Sequence, residues 1–252
     1  MRIDTEGLVI REKSVGESDR LITILTRKQG ILRAFARQAN NIRNGKLSAT
    51  QLFSYSRFTI FVGRDTYMVD DAQPVQVFFE LRKDMERLAL AQYFCELAGV
   101  LAPEGEDAEE FLRLTLNALH FLCKGSRSPR VLKATVEMRM LSLAGYMPDL
   151  VCCEGCGCYE ADVMYFSPRG GKIRCGACGV PDGAGPCSVL GRGALTGMRH
   201  IVYADFEKLF SFSLSPESTK ELSEAAERYT LCTLGRGFNT LDFYHEMEGA
   251  AG

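Results

Sequence analysis

No stretch of about 18 consecutive apolar residues occurs in this 252-residue chain, which excludes a membrane-spanning helix as a plan for it. The first residues, MRIDTEGLVIREK, are charged and alternating, and lack the apolar run of a secretory signal and the composition of a transit peptide. A chain kept in a reducing cytoplasm has little use for a disulfide scaffold, so the ten cysteines call for another explanation. Histidine is scarce, with His120, His200 and His245 in separate segments, and His120 reads as a packed residue of an apolar helix. No G-x-S-x-G, phosphate loop, dinucleotide fingerprint or H-E-x-x-H is present, so no enzyme class is indicated. Asp70-Asp71 reads as a solvated turn. Acidic residues are missing altogether between positions 27 and 46, where Arg27, Lys28, Arg33, Arg37, Arg43 and Lys46 fall. The net charge of -2 therefore hides an N-terminal basic face, which is either plain solvated surface or a phosphate-attracting one.

Two domains are expected from the length. Residues 3–12, 20–27, 31–37, 52–62 and 67–73 are rich in β-branched and aromatic residues and are broken by turn residues, as at Gly30 and Gly63. In 31–37 the alternation puts Leu32, Ala34 and Ala36 on one face and Ile31, Arg33, Phe35 and Arg37 on the other. Five such strands in about 80 residues predict a small antiparallel barrel or sandwich. Beyond it the apolar period becomes helical, over 78–101, 108–123, 129–144, 190–204 and 216–234. Ser128-Pro129 and Ser215-Pro216 are helix-start signals. The expected plan is α+β: a barrel domain over 1–79, then a helical domain over 80–252 with an insert at about 148–182.

That insert holds seven of the ten cysteines, between Cys152 and Cys187. Cys153-x2-Cys156 and Cys175-x2-Cys178 stand 18 residues apart, a spacing suited to a structural zinc site. Gly157 and Gly179 follow the two pairs, and VMYFSPRGGKIR between them reads as a hairpin that joins them. Four thiolates leave zinc no open position, so such a Zn²⁺ site is a staple and not a catalyst. Cys152 and Cys158 are possible substitutes in the first pair. A redox pair of thioredoxin type needs a βαβ setting that is absent, and fortuitous free thiols are the remaining reading. Cys95, Cys123 and Cys232 are read as core residues.

The order of these features resembles one known family. Gly16-Glu17-Ser18-Asp19-Arg20-Leu21-Ile22-Thr23-Ile24-Leu25-Thr26, then Gly30, then Ala34-Phe35-Ala36-Arg37, is similar to the opening of the RecO recombination mediators. Pro148-x-Leu150, the two Cys pairs, Tyr165-Phe166-Ser167, Gly170-Gly171 and the later Leu234-Gly235-Arg236 agree with it in order. Two departures stand out: Gln38 follows Arg37 where the family usually has Gly, and Gly237-Phe238-Asn239-Thr240 replaces a usual Lys-Ser pair. The resemblance implies an oligonucleotide-binding (OB) barrel and a helical domain with a zinc element. It implies binding of single- and double-stranded DNA, strand annealing, and action with RecR on DNA covered by single-strand-binding protein so that RecA loads. No nucleotide hydrolysis is implied. The residues that suit DNA are Arg33, Phe35 and Arg37 on one strand face, Tyr55 and Arg57 on the next strand, and Arg43 and Lys46 between them: cations for phosphates, rings for bases. Phe35 and Tyr55 have the alternative of facing the barrel core. Two other readings remain: a zinc-ribbon accessory protein whose barrel binds protein, and a nuclease or phosphatase built from scattered carboxylates.

Overall fold

The computed structural model describes residues 1–39, 45–63, 66–180 and 185–250. Arg43, one of the expected DNA contacts, lies outside them. The N-terminal strands are β1 (Arg2–Val15), β2 (Asp19–Thr26), β3 (Gly30–Ala36), β4 (Ser54–Val62) and β5 (Tyr67–Val77), with a single-turn helix α1 (Lys46–Ala49) between β3 and β4. They form a closed barrel in the order β1-β2-β3-β5-β4, and β3 pairs with β5 in parallel. This is the five-stranded OB arrangement that the family resemblance implies. Leu32, Ala34 and Ala36 are in the core with Val9, Ile22, Ile24, Phe58 and Ile60, while Arg33 and Arg37 are exposed. Closure removes sheet edges, and the small alanines of β3 suit the narrow interior.

Gly30 ends the turn between β2 and β3 in the left-handed region (φ 57°), and a Cβ there would meet the Pro103 carbonyl oxygen at 1.9 Å. Only glycine serves both demands. Gln38 is left-handed too (φ 54°), and its amide donates to the Asp19 carboxylate at 2.8 Å. The left-handed region costs a non-glycine residue about 1–2 kcal/mol, and glycine returns about 0.5–1 kcal/mol of that as extra chain entropy. Gln38→Gly should therefore stabilise by roughly 0.5 kcal/mol, read as a small rise in Tm; a fall would show that the Gln38 side chain matters more than its backbone. Asp70 and Asp71 do not form a turn. They lie within β5 at a register shift opposite Thr59 and Ile60, and this bulge leaves both exposed.

The helices are α2 (Met85–Leu101), α3 (Glu109–Lys124), α4 (Pro129–Leu143), α5 (Arg192–Tyr203), α6 (Pro216–Leu234) and α7 (Asn239–Ala250). The period over 78–101 is interrupted: a 3₁₀ turn covers Phe79–Lys83, and Asp84 caps α2 by accepting from the Arg87 amide. Met85 thus starts the helix exposed, outside the apolar stripe expected of it. Ser215 caps α6 through its side chain, whereas Ser128 occupies the same position on α4 without a side-chain bond. Left-handed Gly235 (φ 61°) ends α6, and α7 begins only at Asn239, so the final helix lies beyond the Leu234-Gly235-Arg236 segment.

Contacts divide the chain into two compact units, Met1–Ser126 with Phe238–Gly252, and Arg127–Gly237. The first holds the barrel with α2, α3 and α7. The second holds α4, α5, α6 and a small sheet of β6 (Val163–Ser167), β7 (Lys172–Cys175) and β8 (Ser188–Gly191), in the order β7-β6-β8. The sequence pattern does not reveal β8, which pairs with the free edge of β6. In this second unit Lys133 is buried between Glu137 (3.2 Å) and Glu227 (2.8 Å) and donates to the Ser223 carbonyl. A buried ammonium needs that many partners. Of the cysteines read as core, Cys95 is buried, and burial pushes its thiol well up; Cys123 is half-buried and Cys232 exposed. His120 is exposed as well, at the solvent side of α3.

Candidate metal centre and nucleic-acid interface

The hairpin brings the two Cys pairs together. β6 and β7 pair from Met164 with Cys175 to Ser167 with Lys172, so the second pair begins where β7 ends. Each pair forms a turn closed through backbone: Gly157 N–H donates to the Cys153 carbonyl (2.8 Å), and the Cys178 and Gly179 amides donate to the Cys175 carbonyl (3.0 and 3.1 Å). Gly157 (φ 73°) and Gly179 (φ 69°) are both left-handed, which explains glycine after each pair. The sulfurs of Cys153, Cys156, Cys175 and Cys178 lie within 4.8 Å of one another, and those of Cys156 and Cys175 are 3.6 Å apart. Among the described residues this is the one His/Cys/Asp/Glu group placed to hold a metal ion.

The surroundings favour the thiolate form at two of these sulfurs. Burial works against ionisation of Cys153, yet the amides of Cys175, Cys156 and Gly155 outweigh it and bring the thiol to about 6. The Cys178 amide is the largest influence lowering Cys175. Cys178 donates to its sulfur neighbours, first Cys156, and is pushed up to about 12. Four sulfurs this close cannot all ionise without a cation among them. A bound cation removes the conflict, and thiolate donors favour a soft metal.

The segment is anchored from outside by Arg199 of α5, a residue that spacing rules do not single out. Its guanidinium donates to the carbonyls of Leu150 (2.7 Å), Val151 (3.1 Å) and Tyr159 (2.6 Å) and stacks at 4.0 Å on the Tyr159 ring.

The expected DNA residues divide into separate places on the barrel. Arg33 and Phe35 line a cleft of about 390 Å³ with Leu21, Ile31 and Tyr67. Phe35 is half-buried and outside the barrel core, with exposed Arg33 and Arg37 on either side of it along the strand. Tyr67, absent from the sequence-derived set, enters through the parallel pairing of β3 with β5, where it stands opposite Ala34.

Tyr55 and Arg57 do not continue this surface, because β5 stands between β4 and β3. Both are tied to Glu6 of β1: Tyr55 Oη donates to one carboxylate oxygen (2.7 Å) and Arg57 Nε to the other (2.9 Å). The Arg57 hydrogen bond, then that of Tyr55, holds Glu6 below the usual carboxylate range. Arg57 and Glu6 line a second cleft of about 490 Å³ with Asp4, Arg27, Lys28 and Asp71. Lys46 starts α1 with its ammonium on the carbonyls of Val69 and Asp70.

A closed five-stranded OB barrel with exposed cations beside an aromatic ring, followed by helices and a four-thiol knuckle that could hold a metal ion, defines the class: an OB-fold protein with a helical C-terminal part. The comparisons refine that class. Residues 1–78 match the family model for the N-terminal part of recombination protein O, and residues 82–242 match the model for its C-terminal part. Two relatives called DNA repair protein RecO are similar along almost the whole length. The one from Acetivibrio thermocellus is 33% identical over 246 residues (98% of this chain, 97% of the relative), and the one from Symbiobacterium thermophilum is 32% identical over 250 residues (98% of each). A third, from Desulforudis audaxviator, is 38% identical over 184 residues (73% of each). The chain belongs to the RecO family of DNA repair proteins.

Proposed function

We propose that this chain is a recombination mediator that binds single- and double-stranded DNA through its barrel and anneals complementary strands. With RecR it helps RecA load onto DNA covered by single-strand-binding protein. The observation that carries the reading is the outer face of β3 and the residue that follows it, where exposed Arg33 and Arg37 flank Phe35 beside a cleft that Tyr67 also lines. Cations neutralise phosphates without regard to sequence, and a ring stacks any base. Residues 1–79 supply this face, with Arg43 and Lys46 as further phosphate contacts, and 80–252 support it. Annealing follows from screening two strands on one surface and consumes no nucleotide, so the role is not enzymatic. The family's DNA repair role supports a cytoplasmic, nucleoid-associated protein.

The metal in this reading is one structural Zn²⁺ held by Cys153, Cys156, Cys175 and Cys178. With zinc–sulfur bonds of about 2.3 Å, a tetrahedron has edges of about 3.8 Å, close to the Cys156–Cys175 separation.

The test is binding and annealing of fluorescent complementary oligonucleotides across a salt series without ATP. Tight binding that weakens steeply with salt, with faster annealing, is expected. Weak, salt-insensitive binding would favour the protein-recognition alternative. Tyr55 and Arg57 give a sharper expectation. Glu6 competes with phosphate for Arg57, so Glu6→Gln should raise DNA affinity several-fold and steepen the salt dependence by about one phosphate contact. Because the Glu6 carboxyl titrates below its ordinary value, the tie to Arg57 is intact above that value and is lost as pH falls through the depressed one. Unchanged affinity in Glu6→Gln removes Tyr55 and Arg57 from the DNA surface.

A further inference from the structure

The barrel register lines up three side chains that are distant in the sequence. Phe35 of β3 stands opposite Met68 of β5, and Met68 stands opposite Phe61 of β4. All three lie on the outer face, because their strand neighbours Ala34, Ala36, Val69 and Ile60 are in the barrel core and side chains alternate along a strand. With adjacent strands about 4.8 Å apart, the backbone positions of Phe35 and Phe61 are roughly 10 Å from each other, and Met68 lies between them. Phe35 and Met68 are half-buried, and Phe61 is 47% exposed. The three make an apolar strip on an otherwise polar face. The other outward residues of β4, Tyr55, Arg57 and Thr59, are each hydrogen-bonded to Glu6 or Asp4.

Charges around the strip are unevenly placed. At its β3 end Arg33 and Arg37 are exposed, and neither has an ion-pair partner among the described residues. At its far end Arg2 of β1 stands opposite Phe61, but its guanidinium is engaged by the Asp70 carboxylate at 2.9 Å. Thr59, the next outward residue of β4, donates to Asp4 at 2.7 Å and stands opposite Asp71. Phosphates are thus attracted at the β3 end and repelled beyond Phe61, whereas a base is neutral and carries a π face. A strand held by its phosphates at Arg33 and Arg37 lays bases, not phosphates, over Met68 and Phe61. A duplex keeps its base faces inside the stack and offers the strip only base edges, sugars and phosphates.

We propose that Phe35, Met68 and Phe61 form one stacking strip that selects single-stranded over double-stranded DNA, with Phe61 taking a further base beyond the one at Phe35. This rests on the DNA reading of the β3 face.

Titration of the full-length chain with a labelled oligonucleotide, as single strand and as duplex, tests it. Phe61→Ala should weaken single-strand binding by roughly 5- to 150-fold, the range for loss of one stacked base, and leave duplex binding nearly unchanged. The salt slope should stay, since no phosphate contact is lost. Phe61→Leu, which keeps apolar bulk without a ring, should lose almost as much. The chain has no tryptophan, so Phe61→Trp installs a single fluorophore in the strip. Its emission should be quenched by the single strand and not by the duplex. Unchanged single-strand affinity in Phe61→Ala overturns the proposal and leaves the strip to a protein partner. Equal losses on single strand and duplex, parent affinity in Phe61→Leu, or unquenched emission at saturation overturn it too. A parent that binds neither form of DNA overturns the DNA reading and the strip with it, which is a distinguishable failure. Phe61 is exposed and outside the core cluster, so these variants should melt with the parent; if Phe61→Ala does not fold, the emission of Phe61→Trp decides.

Discussion

Cys178→Ala should melt far below the parent, with a loss of about 4–5 kcal/mol in the unit Arg127–Gly237, the upper range for one substitution and one reached by loss of a structural metal. The reason lies in how little else holds the segment from Pro148 to Gly179. Its apolar core is small, chiefly Met164, Phe166 and Ile173, with Phe166 edge-on to Tyr229 at a centroid distance of 5.3 Å. Much of the remaining order comes from the hairpin, the Arg199 bonds to Leu150, Val151 and Tyr159, and the sulfurs themselves. In small metal-dependent domains the binding free energy is the folding free energy. Thermal unfolding with and without a strong chelator checks this. The chelator should lower the Tm of the parent towards that of Cys178→Ala and leave the variant unmoved. DNA binding should suffer only after the structure does, so a variant that melts with the parent but fails to anneal would refute the structural role.

The β3 face should show the largest functional effect. If the proposed DNA surface is right, Arg33→Ala/Phe35→Ala/Arg37→Ala removes two phosphate contacts and one stacked base. Two contacts are worth a salt slope of about 1.4 on single strands, or some 60-fold at 50 mM salt if the electrostatic term fades near 1 M. The ring adds about 1–3 kcal/mol. Together they should weaken single-strand binding on the order of a thousandfold at low salt and flatten the salt dependence. Stability should change little from the arginines, which are exposed, and modestly from Phe35, which is half-buried outside the core. Titration of a labelled oligonucleotide at several salt concentrations measures both effects. Retention of the parent's slope would place the phosphate contacts elsewhere, the cleft with Arg27, Lys28 and Arg57 being next in line.

Much of this was legible in the chain because the signals are local. Strand alternation has a period of two, and it separated Leu32, Ala34 and Ala36 from Arg33, Phe35 and Arg37; the packing of the barrel showed that the first set is the core face. The two Cys pairs with their following glycines state their turn geometry within five residues each. Errors arose where a local pattern was cut or bent by a neighbour: Asp84 caps a new helix inside an unbroken apolar period, and a bulge in β5 exposes both Asp70 and Asp71.

By itself, then, the sequence determined the strand set, the helical second half, the four sulfurs and the cationic β3, since each depends on residue type at short spacing. The tertiary structure alone decided which charges are available. Arg57 and Tyr55 meet Glu6, 51 and 49 residues away in the chain, because β1 pairs with β4. Lys46 meets the carbonyls of Val69 and Asp70. Tyr67, opposite Ala34, comes to line the cleft of Phe35 because β3 and β5 pair in parallel where the barrel closes. A side chain's charge and shape are written in its own residue, but its partners are set by barrel closure and strand register, which depend on the whole chain at once.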